Sequence, residues 1–109
     1  MDEERISMDF EVTIFTIISH SGEARSSSME AIAHAKQGNF TQASACLEDA
    51  NRKLDLAHGE QTKLIQAEAQ GKSVEISLLL VHAQDHLMNA IVLRDLATEF
   101  VDLYKHMDK

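Results

Sequence analysis

Proline and tryptophan are absent from this 109-residue sequence, and glycine occurs only four times. With so few breakers, little in the chain forces a helix to stop, and long uninterrupted helices are favoured. Aromatic residues make up only 5%, and turn residues are scarce, which excludes an ordinary sheet protein and its β-formers. There is a single cysteine, Cys46, so no intrachain disulfide can form, which suits a reducing cytosol. Basic residues are outnumbered, ten Lys and Arg against 18 Asp and Glu, for a formal charge of −8. Nothing forms a basic stripe able to neutralise phosphates, which argues against a nucleic-acid partner. The apolar run from Val74 to Leu93 approaches the length of a membrane span but is interrupted by Glu75, His82, Gln84, Asp85, His86 and Asn89. Met1-Asp2-Glu3-Glu4-Arg5 is not the basic start of a signal peptide. The expectation is one all-α domain over residues 1–109, cytoplasmic, with no direct membrane insertion.

What the chain has in abundance is alanine, leucine, glutamate, lysine and glutamine, the strong helix formers. Three helices are predicted, at about 8–37, 41–70 and 74–106. A seam of Phe10, Ile14, Ile17, Ser21, Ala24, Ser28, Ala31 and Ala35 runs along the first in alternating steps of four and three. Its middle is built of small residues, which either let another backbone approach closely or form a polar surface patch; both readings stay open. Gly22 inside the run weakens the case for an unbroken helix, at about 1 kcal/mol relative to alanine. Gly38 closes this helix, and Asn39 or Thr41 is placed to cap the next. The second seam runs Phe40, Ala43, Leu47, Ala50, Leu54, Ala57, Gln61 and Leu64 to a stop at Gly71, with Ser73 the expected cap of the third helix. Short connections between long helices dictate an antiparallel up-down-up bundle. Counting register from the two turns brings the polar interruptions Ser21, Gln61 and His82 to similar height.

The third helix holds the unusual stretch, Ser77 to Asn89. At 100° per residue, His82, Asp85, His86 and Asn89 share one face, which continues as Leu93, Leu96, Phe100 and Leu103. On this reading a core row carries four polar groups in succession, each costing roughly 1 to 3 kcal/mol if left unpartnered. Leu78, Leu79, Leu80, Val81, Leu87, Met88, Ile91 and Val92 meanwhile surround the axis of the upstream half, whereas Arg94, Asp95, Thr98, Glu99 and Asp102 leave the downstream half ordinarily amphipathic. A helix apolar all round is covered on both sides, and the expected cover is another copy of the chain about a symmetry axis.

His82 is a candidate nucleophile, able as a neutral imidazole to accept a phosphoryl or acyl group. The bland alternative is a satisfied core histidine. Asp85 near a three-fold axis would meet its own copies and require a proton or a hard divalent cation with oxygen ligands; pairing with His86 is the other reading. His82-x-x-Asp85-His86 also echoes the His-x-x-Glu-His zinc pattern, but no third ligand is placed by spacing. His20, His34, His58 and His106 read as surface histidines, and Glu48, Asp49 and Asp55 as a solvated face of the second helix.

Val81-His82-Ala83-Gln84-Asp85-His86-Leu87-Met88 resembles the signature of the enzyme IIA component of the lactose/cellobiose (chitobiose) class of the bacterial sugar phosphotransferase system. Ser21-Gly22-Glu23-Ala24-Arg25-Ser26, Ala35-Lys36-Gln37-Gly38-Asn39-Phe40 and Ala57-His58-Gly59-Glu60-Gln61-Thr62-Lys63-Leu64-Ile65 agree with the family in order and spacing, so the similarity spans about Phe10 to Lys105. The departure noticed is His20, where a polar amide is more usual. The resemblance implies a homotrimer of three-helix subunits, in which His82 accepts a phosphoryl group from the phosphocarrier HPr and passes it to the cognate IIB component for disaccharide uptake. It further implies a divalent metal, commonly magnesium, held on the trimer axis by three copies of Asp85, with Gln84 and His86 as neighbours of the active histidine. A zinc-dependent hydrolase using His82, Asp85 and His86, and a non-catalytic helical adaptor, are the alternatives.

Overall fold

A computed structural model describes residues 2–108, with side chains from residue 10 onward. Three helices account for nearly all of it: α1 Asp2–Lys36, α2 Phe40–Ala69 and α3 Leu78–Met107. Contacts between α1 and α2 pair Glu23 with Lys53 and Ser27 with Asp49, so numbers rise on one helix as they fall on the other. The α2–α3 contacts, Gln61 with Gln84 and Asn51 with Arg94, show the same opposition. The bundle is therefore antiparallel up-down-up, 63 Å long and about a third as wide. It is all-α, as expected.

The turns explain where the helices stop. At the first, Asn39 N–H donates to His34 C=O and Gly38 N–H to Ala35 C=O, with Gly38 at φ +78. At the second, Lys72 N–H donates to Ala67 C=O and Gly71 N–H to Glu68 C=O, with Gly71 at φ +81. Both are Schellman closures, which use a left-handed residue that only glycine adopts without strain. Two boundaries and one cap differ from expectation. α1 begins at Asp2 rather than near Met8. Asn39 occupies the N-cap position of α2 but its side chain makes no capping bond. α3 starts at Leu78, not Val74, because Ser77 rather than Ser73 is the cap, its hydroxyl accepting the Leu80 N–H at 3.1 Å.

The core is built on small residues. On α1, every seam position from Ile14 through Ala35 is buried, including Ser21 and Ser28 at 0% exposure. The small middle of that seam is thus a close helix approach and not a surface patch, and Gly22 does not interrupt the helix. On α2 the buried set is Ala43, Ala50, Leu54, Ala57, Leu64 and Ala67, again along the expected seam.

α3 overturns the expectation about its core face. Its buried residues are Ala83, Leu87, Ala90, Ala97 and Val101. The predicted row instead lies largely outside: His82, Asp85 and Asn89 are exposed, His86 is half-buried, and Leu96, Phe100 and Leu103 are 51, 44 and 53% exposed. The alanines win the interior because close-packed helices need small contacts there, whereas side-chain size drew the prediction to the opposite face. The downstream half is likewise not ordinarily amphipathic. Large apolar residues (Leu78, Val81, Met88, Val92, Leu96, Phe100, Leu103 and Met107) run uncovered along the whole of α3. No helix among the described residues is long and apolar enough to cross a membrane.

Candidate functional site

His82 lies on the second turn of α3, exposed, at the edge of that uncovered apolar stripe. His86, one turn on, is half-buried, and the two rings are 5.7 Å apart between centroids, tilted by 46°. His86 packs over Gly22 of α1. A Cβ on Gly22 would meet His86 Nε2 at 3.7 Å, ordinary contact, so the ring lies directly beside this point of α1. Ser21 beside it is fully buried, and its hydroxyl finds no hydrogen-bond partner.

Gln84 points to the other flank, where Gln61 Nε2 of α2 donates to its Oε1 at 2.5 Å. Positions 82 and 84 differ by about 200° around a helix, so Gln84 cannot reach the histidine of its own chain. Asp85 lies between these flanks, exposed, in line with Val81, Met88 and Val92. The sequence-predicted residues thus share one level of the bundle but split over three directions. His86 faces α1, Gln84 faces α2, and His82 and Asp85 face outward.

Several polar residues depart from the surface roles expected of them. His20 is half-buried, its Nδ1 enclosed without a hydrogen bond and 3.8 Å from Glu23. Asp49 is half-buried too, accepting from the Ser27 hydroxyl and from Arg52, each at 2.6 Å; the Ser27 bond first, then Arg52, holds its carboxyl below the ordinary range. Lys53 Nζ, 2.7 Å from Glu23, lowers that carboxyl and is itself raised by it. Arg94 is half-buried and bridges to Asn51 on α2 at 2.5 Å. Burial, then Glu30, pushes the Cys46 thiol up, which leaves it less nucleophilic. These groups join α1, α2 and α3 and so fix the platform that carries His82.

Among the described residues no three His, Cys, Asp or Glu side chains come together as a metal site. A zinc centre built on His82 and His86 therefore lacks its third ligand within one chain. Asp85 offers a single carboxylate, directed along the apolar stripe. Three copies meeting there would supply an all-oxygen donor set, which fits a hard cation and not zinc.

Comparisons with known proteins place the whole chain. The family model for the lactose/cellobiose-specific IIA subunit of the phosphotransferase system matches residues 12–105. The lichenan-specific phosphotransferase enzyme IIA component of Bacillus subtilis (strain 168) is 53% identical over 97 residues, covering 89% of this chain and 88% of the relative. The crystal structure of the cellobiose-specific enzyme IIA from Bacillus anthracis superposes with a TM-score of 0.89 at 50% identity, over 91% of each chain. Solution structures of the IIA(chitobiose)–HPr complex give a TM-score of 0.81 at 38% identity, over 92% of this chain and 97% of the other. With an all-α bundle of the same shape and the His82 cluster in the matched span, this chain belongs to the lactose/cellobiose-specific IIA family of the sugar phosphotransferase system, the phosphotransferase components that carry phosphoryl groups.

Proposed function

We propose that His82 is the phosphoryl acceptor of this chain, that HPr is its donor, and that the cognate IIB component receives the group for uptake of a lactose-, cellobiose- or chitobiose-type disaccharide. The observation that carries this is placement. His82 is the member of its cluster that is both exposed and flanked by a second imidazole and by an apolar surface on which another protein can lie. A related IIA subunit has been solved in complex with HPr, which supports HPr as the donor here.

In the transfer, an imidazole nitrogen of His82 uses its lone pair to attack phosphorus as the bond to the donor's nitrogen breaks. The donor leaves as neutral imidazole, and the reverse exchange delivers the group onward. Such a transfer asks the protein for alignment and charge stabilisation more than for covalent chemistry. No Lys or Arg adjoins His82 in sequence, so the donors would come from His86 or from another subunit, whose Gln84 amide is one candidate. Weak stabilisation suits a carrier, which has to surrender what it accepts.

The exposed α3 stripe supports assembly as a homotrimer around that helix, since a face of this kind is covered in a soluble protein. Asp85 from each copy would then hold a divalent ion, magnesium by its oxygen preference. Its charge would offset the converging carboxylates. The setting is cytoplasmic. The test is incubation with phosphorylated HPr followed by mapping of the acid-labile phosphate. His82→Ala is expected to fold, assemble and remain unlabelled. Labelling at any other residue would overturn the assignment.

A further inference from the structure

We propose that Gln61 is a positioning residue: by donating to Gln84 Oε1 it turns the Gln84 NH2 outward, as a donor for the phosphoryl group on His82 of an adjacent copy. This rests on His82 being the acceptor and adds a residue that acts one step behind it.

The argument begins with what a glutamine is doing on α2. Its neighbours along the seam, Leu54, Ala57, Leu64 and Ala67, are buried and apolar, and a polar amide there costs stability unless it is bonded. Gln61 is bonded, half-buried, to Gln84, also half-buried, 23 residues away. A side-chain amide has one accepting end and one donating end. With Oε1 of Gln84 taken by Gln61, its two N–H donors are left over, and no other side chain among the described residues accepts them. The opposite pairing would present a carbonyl oxygen instead, which a phosphoryl group repels. In the observed pairing Gln61 is the donor, so the NH2 end of Gln84 is the one that faces outward.

Helical geometry decides whose phosphoryl group is served. His82 and Gln84 flank the outward stripe on opposite sides, with Asp85 between them. When copies close around α3, the flank of one chain that bears His82 meets the flank of the next that bears Gln84. The donor set of each histidine is then completed by the neighbour, and the neighbour's Gln61 holds it in place.

Two substitutions of opposite polarity test this. Gln61→Glu can only accept, so Gln84 must turn its NH2 inward. Gln61→Lys can only donate, so it preserves the native arrangement. With phosphorylated HPr as substrate, Gln61→Glu is expected to lower kcat by about a hundredfold, the low end of the effect of losing a pre-aimed donor to developing charge. Its KM should stay within about twofold of the parent, because the surface that meets HPr is unaltered. Gln61→Lys should retain kcat within about threefold. Thermal midpoint and solution mass are measured on both. Parent-like kcat in Gln61→Glu, or an equal fall in both variants, would overturn the positioning role while leaving His82 as acceptor. Labelling of His82→Ala would overturn that underlying assignment instead, so the two failures are distinguishable.

Discussion

The double substitution Leu96→Glu, Phe100→Glu probes the outward face of α3 most directly. In one chain these side chains remain 51 and 44% exposed, so folding has removed only about half of each from water. Complete burial of a large apolar side chain is worth about 1.5–3 kcal/mol, leaving about 1 kcal/mol per side chain to be gained on covering. Two side chains in each of three copies come to about 6 kcal/mol, or roughly four powers of ten in the assembly constant. That figure is a floor, since the new carboxylates also repel across the axis. The helix itself should survive, because glutamate is a good helix former and both positions face outward. Sedimentation at micromolar concentration is expected to show the parent at the mass of three chains and the variant at one, with unchanged helical circular dichroism. Leu56→Glu is the control, a comparably exposed leucine (52%) on α2, off the stripe, and its mass should not change. A variant that stays at three chains, or a control that dissociates, would show that copies do not meet through α3.

Two more expectations concern the same level of the bundle. If three Asp85 carboxylates share an ion, chelation should lower the thermal midpoint of the parent trimer but leave Asp85→Asn unmoved; equal responses in differential scanning calorimetry would remove the ion's structural role. Gly22→Ala places a Cβ at ordinary contact distance, 3.7 Å, from His86 Nε2. The substitution should therefore stabilise α1 by about 1 kcal/mol, the helix-interior cost of glycine. Urea unfolding at fixed protomer concentration measures it. A loss of stability would mean that His86 needs the empty slot more than its contact distance implies.

Much of the fold was legible because the seams of α1 and α2 repeat at helical spacing and the two turn glycines are unmistakable. Gly38 and Gly71 are needed for their positive φ, a requirement that sequence position alone already suggests. The polar interruptions were also placed well, since Gln61 does meet the His82 level, through Gln84. The face of α3 was misread for a physical reason. Hydrophobic patterning registers how apolar a row is, but not which of two apolar rows packs inside the chain. α3 has two: a small one of Ala83, Ala90 and Ala97 that lets the helices close up, and a large one of Met88, Val92, Leu96 and Phe100 left outside. The start of α3 was missed because Ser73 and Ser77 are equally good caps on paper. Only the hydroxyl bond to Leu80 separates them. Asp49 looked solvated because its partner Ser27 lies on another helix, beyond the reach of any local pattern.

The two-sidedness of α3 bears on where a phosphoryl carrier can keep its histidine. On the interior row the ring would be closed off from both donor and acceptor. At the centre of the outer stripe, the place of Asp85, it would be lost in the contact between copies. Only the flank remains, where the chain's own α1 stands on one side through His86 and Gly22, a neighbouring copy in the proposed trimer would close the other, and solvent would keep access for a visiting protein. His82 occupies that flank, and Gln84 occupies the opposite one. A helix with a single apolar face could not hold both, because one of the two flanks would then face solvent with no copy beside it. The same double pattern that misleads a reading of the core is therefore what would let each subunit of the proposed trimer supply a histidine to one neighbour and an amide to the other.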